Sequence, residues 1–161
     1  MNIFVLDKYP DKAAQMLCDC HVRKMCVETA QILSGVMLRR GIPLLDGMPK
    51  PQNIKHPVIV AADGVKSANW LLFYNSCLHL EYFRRFTKMH CYERLQDEYF
   101  MALRTVAAGT DCAGLTKCCG DLDMADLDIV TAYRKYYTEV KKPQLTKKNL
   151  WKFTKREDWT K

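Results

Sequence analysis

Residues 20–34 read Cys20-His21-Val22-Arg23-Lys24-Met25-Cys26-Val27-Glu28-Thr29-Ala30-Gln31-Ile32-Leu33-Ser34. An α-helix turns about 100° per residue, so His21, Lys24, Glu28 and Gln31 share one stripe of such a helix. Val22, Met25, Cys26, Thr29, Ile32, Leu33 and, just beyond, Val36 line the other side. An apolar face set against a polar one is the pattern of a helix laid on a core. The polar stripe also has chemical content. Lys24 and Glu28 stand four apart, close enough to pair, and His21 lies one turn earlier. At about 1.5 Å per residue His21 and Glu28 are about 10 Å apart along the axis, so they can flank one substrate without touching. A Lys/Glu pair at this spacing is common on solvated helices. A histidine, a lysine and a carboxylate in one row also supply a proton shuttle, an amine or phosphate anchor, and a base or cation stabiliser.

Outward from this stretch, Asp11 predicts the N-cap of a helix from about Lys12 to Arg40, ended by Gly41 and Pro43. Asp19 offers a second start that would split it in two. Asn2 to Leu6 alternates weakly and reads as a short strand or an extended arm. Residues 41–57 carry three glycine or proline clusters and predict a loop ending at His56-Pro57. A second long helix is expected from Asp63 or Ser67 to Met89, with Trp70, Leu71, Tyr74, Cys77, Leu78, Tyr82 and Phe86 near a 3.6 period. Trp70, Phe73 and Tyr74 read as core. A third helix over Cys91–Ala107, a glycine- and cysteine-rich loop over Gly109–Asp123, and a fourth helix over Asp126–Val140 complete the pattern. The expected fold is all-α. It is one compact helical domain over residues 1–161, with two long antiparallel helices, two more packed on them, and an N-terminal arm across the bundle.

The chain's 161 residues, 48% of them hydrophobic, suffice for one packed core. No apolar run approaches the ~18 residues that cross a bilayer, and Met1 to Asp7 has no basic leader before it. The expectation is a soluble cytoplasmic protein with a mature N-terminus. Eight cysteines are present, but Cys18-Asp19-Cys20 and Cys118-Cys119 lack the C-x-x-C spacing of a tetrahedral metal clip. Free, mostly buried thiols are expected instead, and no metal or other cofactor. A site joining Cys18, Cys20 or His21 to Cys118 and Cys119 departs from usual metal spacings.

The net charge of +7 is unevenly placed. Arg134 to Lys161 carry ten Lys or Arg against three acids, which accounts for the whole excess. Tyr133, Tyr136, Tyr137, Trp151, Phe153 and Trp159 are threaded through the same region. Cations interleaved with aromatics suit a polyanion whose bases can stack, and they equally suit a tail that docks on its own domain. Tyr133, Arg134, Lys148, Trp151 and Arg156 are the candidate nucleic-acid contacts, and the basic aromatic tail spans about 141–161.

Several motifs in order give the chain a likeness. They are Met1-Asn-Ile-Phe-Val-Leu-Asp7, Cys18-Asp-Cys-His-Val-Arg-Lys-Met25 with Glu28 and Gln31, Lys55-His-Pro57, Asn69-Trp-Leu71, Glu81-Tyr-Phe-Arg-Arg-Phe-Thr-Lys-Met-His90 and Tyr133-Arg-Lys-Tyr-Tyr137. With these the sequence resembles the pyrimidine-dimer DNA glycosylase family, and within it a group of short viral proteins. The resemblance implies a compact all-helical domain that flips a nucleotide from duplex DNA. It implies that an N-terminal α-amine attacks the sugar C1′ and that a helix carboxylate helps resolve the imine by strand scission. Glu28 matches the position of that carboxylate, and His21 stands seven residues before it as a family histidine does. Asn2 stands where the family has a small residue exposed by removal of the initiator Met, and its size predicts that Met1 is kept. Ile3 stands where the family has a basic residue. Lys24 is then an alternative amine.

The resemblance would also set Glu81, Tyr82 and Arg85 facing a pocket opposite the first helix, with His90 at its rim. Read alone, the Glu81, Arg84, Arg85, Lys88 spacing suits a salt-bridged surface. His56 is a candidate substrate contact or a turn cap, and Asn69 a base reader or a loop tie. His79 reads as structural. Together these readings predict a DNA N-glycosylase-like enzyme acting on a pyrimidine nucleotide, with AP-lyase chemistry and DNA as partner. The alternatives are a non-catalytic nucleotide or nucleic-acid binder, and an enzyme of free or modified nucleotides.

Overall fold

The apolar face read from residues 22–36 does form one side of a long helix, and a second long helix lies against it. The computed structural model describes residues 2–120, 124–145, 151–154 and 159–160. After an extended N-terminal arm come α1 (Pro10–Gln15), α2 (Asp19–Arg39), α3 (Pro57–Ala62), α4 (Val65–Phe86), α5 (Gln96–Leu103) and α6 (Ile129–Tyr136). Helix α6 runs on into a wider π-helical turn over Tyr137–Lys141. Among the described residues there is no strand, and the fold is all-α. No helix in them is long and apolar enough to cross a membrane.

Val22, Met25, Cys26, Thr29, Ile32, Leu33 and Val36 of α2 are fully buried. They meet α4, which contributes Trp70, Leu71, Tyr74 and Leu78 to the same core. The two long helices run antiparallel, as their end contacts show. Arg40 just past α2 bonds Asp63 just before α4 (Nε to Oδ1, 2.8 Å), while Asp19 at the start of α2 pairs with Arg85 near the end of α4 (3.2 Å). Gly35 gives α3 its seat, because a Cβ there would stand 2.5 Å from Ile59 Cδ1.

Several boundaries differ from the sequence pattern. The first helix begins at Pro10 instead of about Lys12, with Tyr9 and not Asp11 at the N-cap position and proline at the start, where its missing N–H costs nothing. The chain breaks over Met16–Cys18 before α2, so the two-helix reading with Asp19 near the second start is the one that forms. Helix α3 falls where no helix was expected; it is only six residues long, too short for a period to show. The region expected as helix from Cys91 to Ala107 keeps only eight α-helical residues. The fourth helix begins at Ile129 instead of Asp126, capped by Asp128, which accepts the amides of Val130 (3.0 Å) and Thr131 (3.1 Å). Phe73 is 37% exposed and packs edge-on against Phe100 beneath Arg104, so it is not core.

The corner between α1 and α2 is held by one buried guanidinium. Arg85 donates to the Gln15 (3.1 Å) and Leu17 (2.7 Å) carbonyls and to the carboxylates of Asp19 (3.2 Å) and Glu81 (3.1 Å). Removing it takes the buried cation from two carboxylates and a donor from two carbonyls. Arg85→Met should lower the unfolding free energy by about 3–5 kcal/mol. Arg84→Met, which touches Glu81 from a half-exposed position, should cost under ~1 kcal/mol. Urea midpoints of the two variants measure the contrast.

Candidate active site

The arm ends against the polar stripe of α2. The Asn2 backbone N–H donates to Glu28 Oε2 at 3.0 Å, and Lys24 Nζ stands 3.5 Å from Glu28 Oε1. The Glu28 side chain is 14% exposed and that of Lys24 53%, so the carboxylate sits at the rim of the core with the ammonium in solvent. A carboxylate and two nitrogens, one of them an exposed side-chain amine, thus meet at the rim of the core.

The side chain of Asn2 fixes the arm there. Its Nδ2 donates to the Cys118 carbonyl (2.9 Å), and its Oδ1 takes the Ile3 amide (2.7 Å) and the Tyr133 hydroxyl (3.1 Å). Tyr133 is fully buried, and its hydroxyl also lies 3.1 Å from the Thr116 carbonyl and accepts the Cys118 amide at 3.2 Å. The clamp around residues 116–118 has no sequence signal apart from Asn2 itself, a side chain able both to donate and to accept.

His21 is not on the open row with Lys24 and Glu28. It is 6% exposed, its Nδ1 is 2.8 Å from the Tyr137 hydroxyl, and its ring lies 4.8 Å from that of Phe4. Tyr137 also accepts the Cys18 amide at 2.9 Å. The helical wheel gives the direction of His21 correctly, but the arm and the turn after α6 cover that end of the stripe. His21 therefore positions the arm.

The remaining candidates scatter. Arg134 donates to the Leu6 carbonyl (2.7 Å) and pairs with Asp7 (3.1 Å), its side chain 44% exposed. His56 caps α3 through the Val58 amide at 3.3 Å. Asn69 ties the Thr105 and Gly109 carbonyls (2.7 and 2.8 Å) and the Thr105 amide (3.0 Å). Glu81 and Arg85 are buried in the corner network instead of lining an open pocket. Tyr82 packs on Phe86 and His90, with ring centroids 4.9 and 5.1 Å away. Lys148 and Arg156 lie outside the described residues.

Described parts of the tail dock on the protein itself. Phe153 N–H donates to Asp19 Oδ2 (2.8 Å), Trp159 Nε1 to the Met16 carbonyl (2.7 Å), and Trp151 packs on the core. One cation–aromatic set stays near the surface beside Lys24. The Arg23 guanidinium lies 4.2 Å over Phe86, whose ring is 5.4 Å from the 46% exposed ring of Phe153.

Two groups of donor atoms converge among the described residues: Cys18, Cys20 and His21, and separately Cys26, His79 and His90. In the first, the Cys18 and Cys20 sulfurs are 3.4 Å apart, and this contact pushes the Cys18 thiol down to about 4 while raising that of Cys20. Cys118 and Cys119 do not join either group.

A family model described as pyrimidine dimer DNA glycosylase matches residues 1–92. The chain belongs to the pyrimidine dimer DNA glycosylase family. The matched region holds the arm, α1 to α4, and the whole Asn2–Lys24–Glu28 cluster, and membership makes DNA the partner. No curated protein and no solved structure matches the chain. The residues that clamp the arm in this family member, Tyr133 and Tyr137, lie beyond the matched stretch.

Tyr137→Phe should lower stability by about 1–3 kcal/mol, since it leaves the buried Cys18 amide and His21 Nδ1 without a partner. Thermal unfolding beside a surface control such as Lys135→Ala reads the difference.

Proposed function

We propose that the protein is a DNA N-glycosylase that cleaves the glycosidic bond of a pyrimidine nucleotide and then opens the sugar by AP-lyase chemistry. The observation that carries this reading is the Glu28 carboxylate between the Asn2 nitrogen at 3.0 Å and the Lys24 ammonium at 3.5 Å. Reaction at C1′ requires the nucleotide to leave the base stack. As the base departs with the bonding electrons, positive charge develops on the sugar, and a carboxylate beside C1′ stabilises it. An amine nitrogen then bonds C1′, loses its proton and gives an imine once the ring oxygen bond opens. Glu28 can next accept the C2′ proton as the C3′–O bond breaks, which releases the 3′ phosphate.

The chemistry of the amine depends on the N-terminus. With Met1 in place the Asn2 nitrogen is an amide without a usable lone pair, which leaves Lys24 or a water as the nucleophile. With Met1 removed the Asn2 nitrogen is itself the α-amine, already 3.0 Å from the carboxylate. His21 and Tyr137 hold the arm in register for either case. The Arg23–Phe86–Phe153 set, whose arginine precedes Lys24 in the chain, suits an unstacked base or a sugar–phosphate strand, and Arg134 with the cations of the tail suits the backbone. Eight free cysteines fit a reducing cytoplasm.

The test is incubation with duplexes carrying a pyrimidine dimer or an abasic site, with borohydride to trap an imine. Glu28→Gln should lower cleavage by about 10²–10⁴-fold. Lys24→Ala should change stability by less than ~0.5 kcal/mol and, if Met1 is present by intact mass, abolish trapping. Salt-sensitive DNA binding without cleavage or adduct would make the protein a binder, and loss of binding as well would point to a free nucleotide.

A further inference from the structure

A cluster of soft donors on the far side of α2 takes no part in the Glu28 site. Cys26 projects from the core face of α2, His79 from α4, and His90 from the turn after α4. One donor atom from each lies within 4.8 Å of the others. Cys26 is fully buried and His79 is 3% exposed. Both ring nitrogens of His79 are buried without a hydrogen-bond partner. A neutral imidazole so placed leaves a donor and an acceptor unmet, which folded proteins rarely tolerate without a reason.

The backbone is arranged to bring further donors over this point. Helix α4 ends at Thr87 with φ 55°, a left-handed conformation that a β-branched residue seldom adopts. The reversal carries the His90 ring to 5.4 Å from that of His79. The same turn sets Cys91 Sγ 3.9 Å from His90 Nδ1, and that nitrogen also accepts the Tyr92 amide at 3.2 Å.

We propose that Cys26, His79, His90 and Cys91 bind a zinc ion in a closed Cys2His2 site. Tetrahedral zinc has bonds of about 2.0–2.3 Å, which set its donor atoms about 3.3–3.8 Å apart. The donor atoms of Cys26, His79 and His90 contract to this from within 4.8 Å of one another, and the exposed Cys91, whose Sγ is 3.9 Å from His90 Nδ1, swings in from outside that group as the fourth ligand. Two thiolates and two imidazoles without a carboxylate select zinc over magnesium or calcium. On binding, the Cys26 and Cys91 thiols give up their protons to solvent, and one His79 nitrogen donates its lone pair to the metal. A cleft of about 320 Å³ lined in part by Ser76, Phe83, Met89 and Glu93 opens beside His79. It gives the ion access and leaves room for water at the other ring nitrogen. Four protein ligands leave no open position, so the ion is structural and joins α2, α4 and the turn after α4.

The full chain, stripped of metal, is titrated with zinc against a chromogenic chelator and with cobalt as a spectroscopic probe. One zinc per chain is expected, together with a thiolate-to-cobalt charge-transfer band of a tetrahedral site and a higher Tm. His79→Gln should weaken zinc binding by about 100-fold or more. Cys18→Ser and Cys20→Ser should leave it unchanged. Should His79→Gln fail to fold, His90→Gln, altered at the half-buried rim, decides in its place. Absence of one-to-one binding, equal affinity in the histidine variants, or loss of binding in the Cys18 variant alone overturns the site.

Discussion

A backbone segment buried without a strand beside it must have its carbonyls met by other groups, and the N-terminal arm is such a segment. Ile3, Phe4, Val5 and Leu6 are at most 1% exposed. The Tyr74 hydroxyl meets the Phe4 carbonyl (3.2 Å), Arg134 meets that of Leu6, and Trp70 Nε1 meets that of Lys8 (2.7 Å). Helices α4 and α6 must therefore stand on either side of the arm with these side chains aimed inward. The packing of both long helices follows from that demand as much as from their apolar faces.

The same constraint makes the candidate site. Glu28 is an ordinary residue on a helix stripe until the arm delivers a main-chain nitrogen to it. The arm stays there because Asn2 is anchored to the segment around Cys118 and because His21, Phe4 and Tyr137 pack as one buried group. A small residue in place of Asn2 would leave the Tyr133 hydroxyl and the Cys118 carbonyl without these partners. The size of Asn2 thus has a structural reason within this chain.

Periodicity was a good guide where a helix is long and one face is covered. The core face of α2 and the Trp70, Tyr74 and Leu78 face of α4 were legible because nearly every position obeys one period. The short helix α3 was not, since six residues are too few for a period to show, and the break before α2, which Asp19 offered as one of two readings, is fixed by contacts such as Arg85 with the Leu17 carbonyl. At the site, the Lys24–Glu28 pair follows from spacing alone. The placement of His21 does not, because a helical wheel shows direction and not what covers it. Asn69 and His56 are polar residues whose partners are loop amides and carbonyls, and sequence does not distinguish such ties from ligand contacts. The Cys26, His79 and His90 group was invisible for a related reason. Its members come from three elements and share no short motif.

The arm's anchors fall on the carbonyls of residues 4, 6 and 8. One inserted or deleted residue between Asn2 and Lys8 would shift these carbonyls out of step with Tyr74, Arg134 and Trp70, or would pull the anchored residue 2 away from Glu28. Apolar side chains in this stretch can be exchanged while the count of residues stays the same. In a lineage of such proteins, the arm should drift in spelling and hold its length.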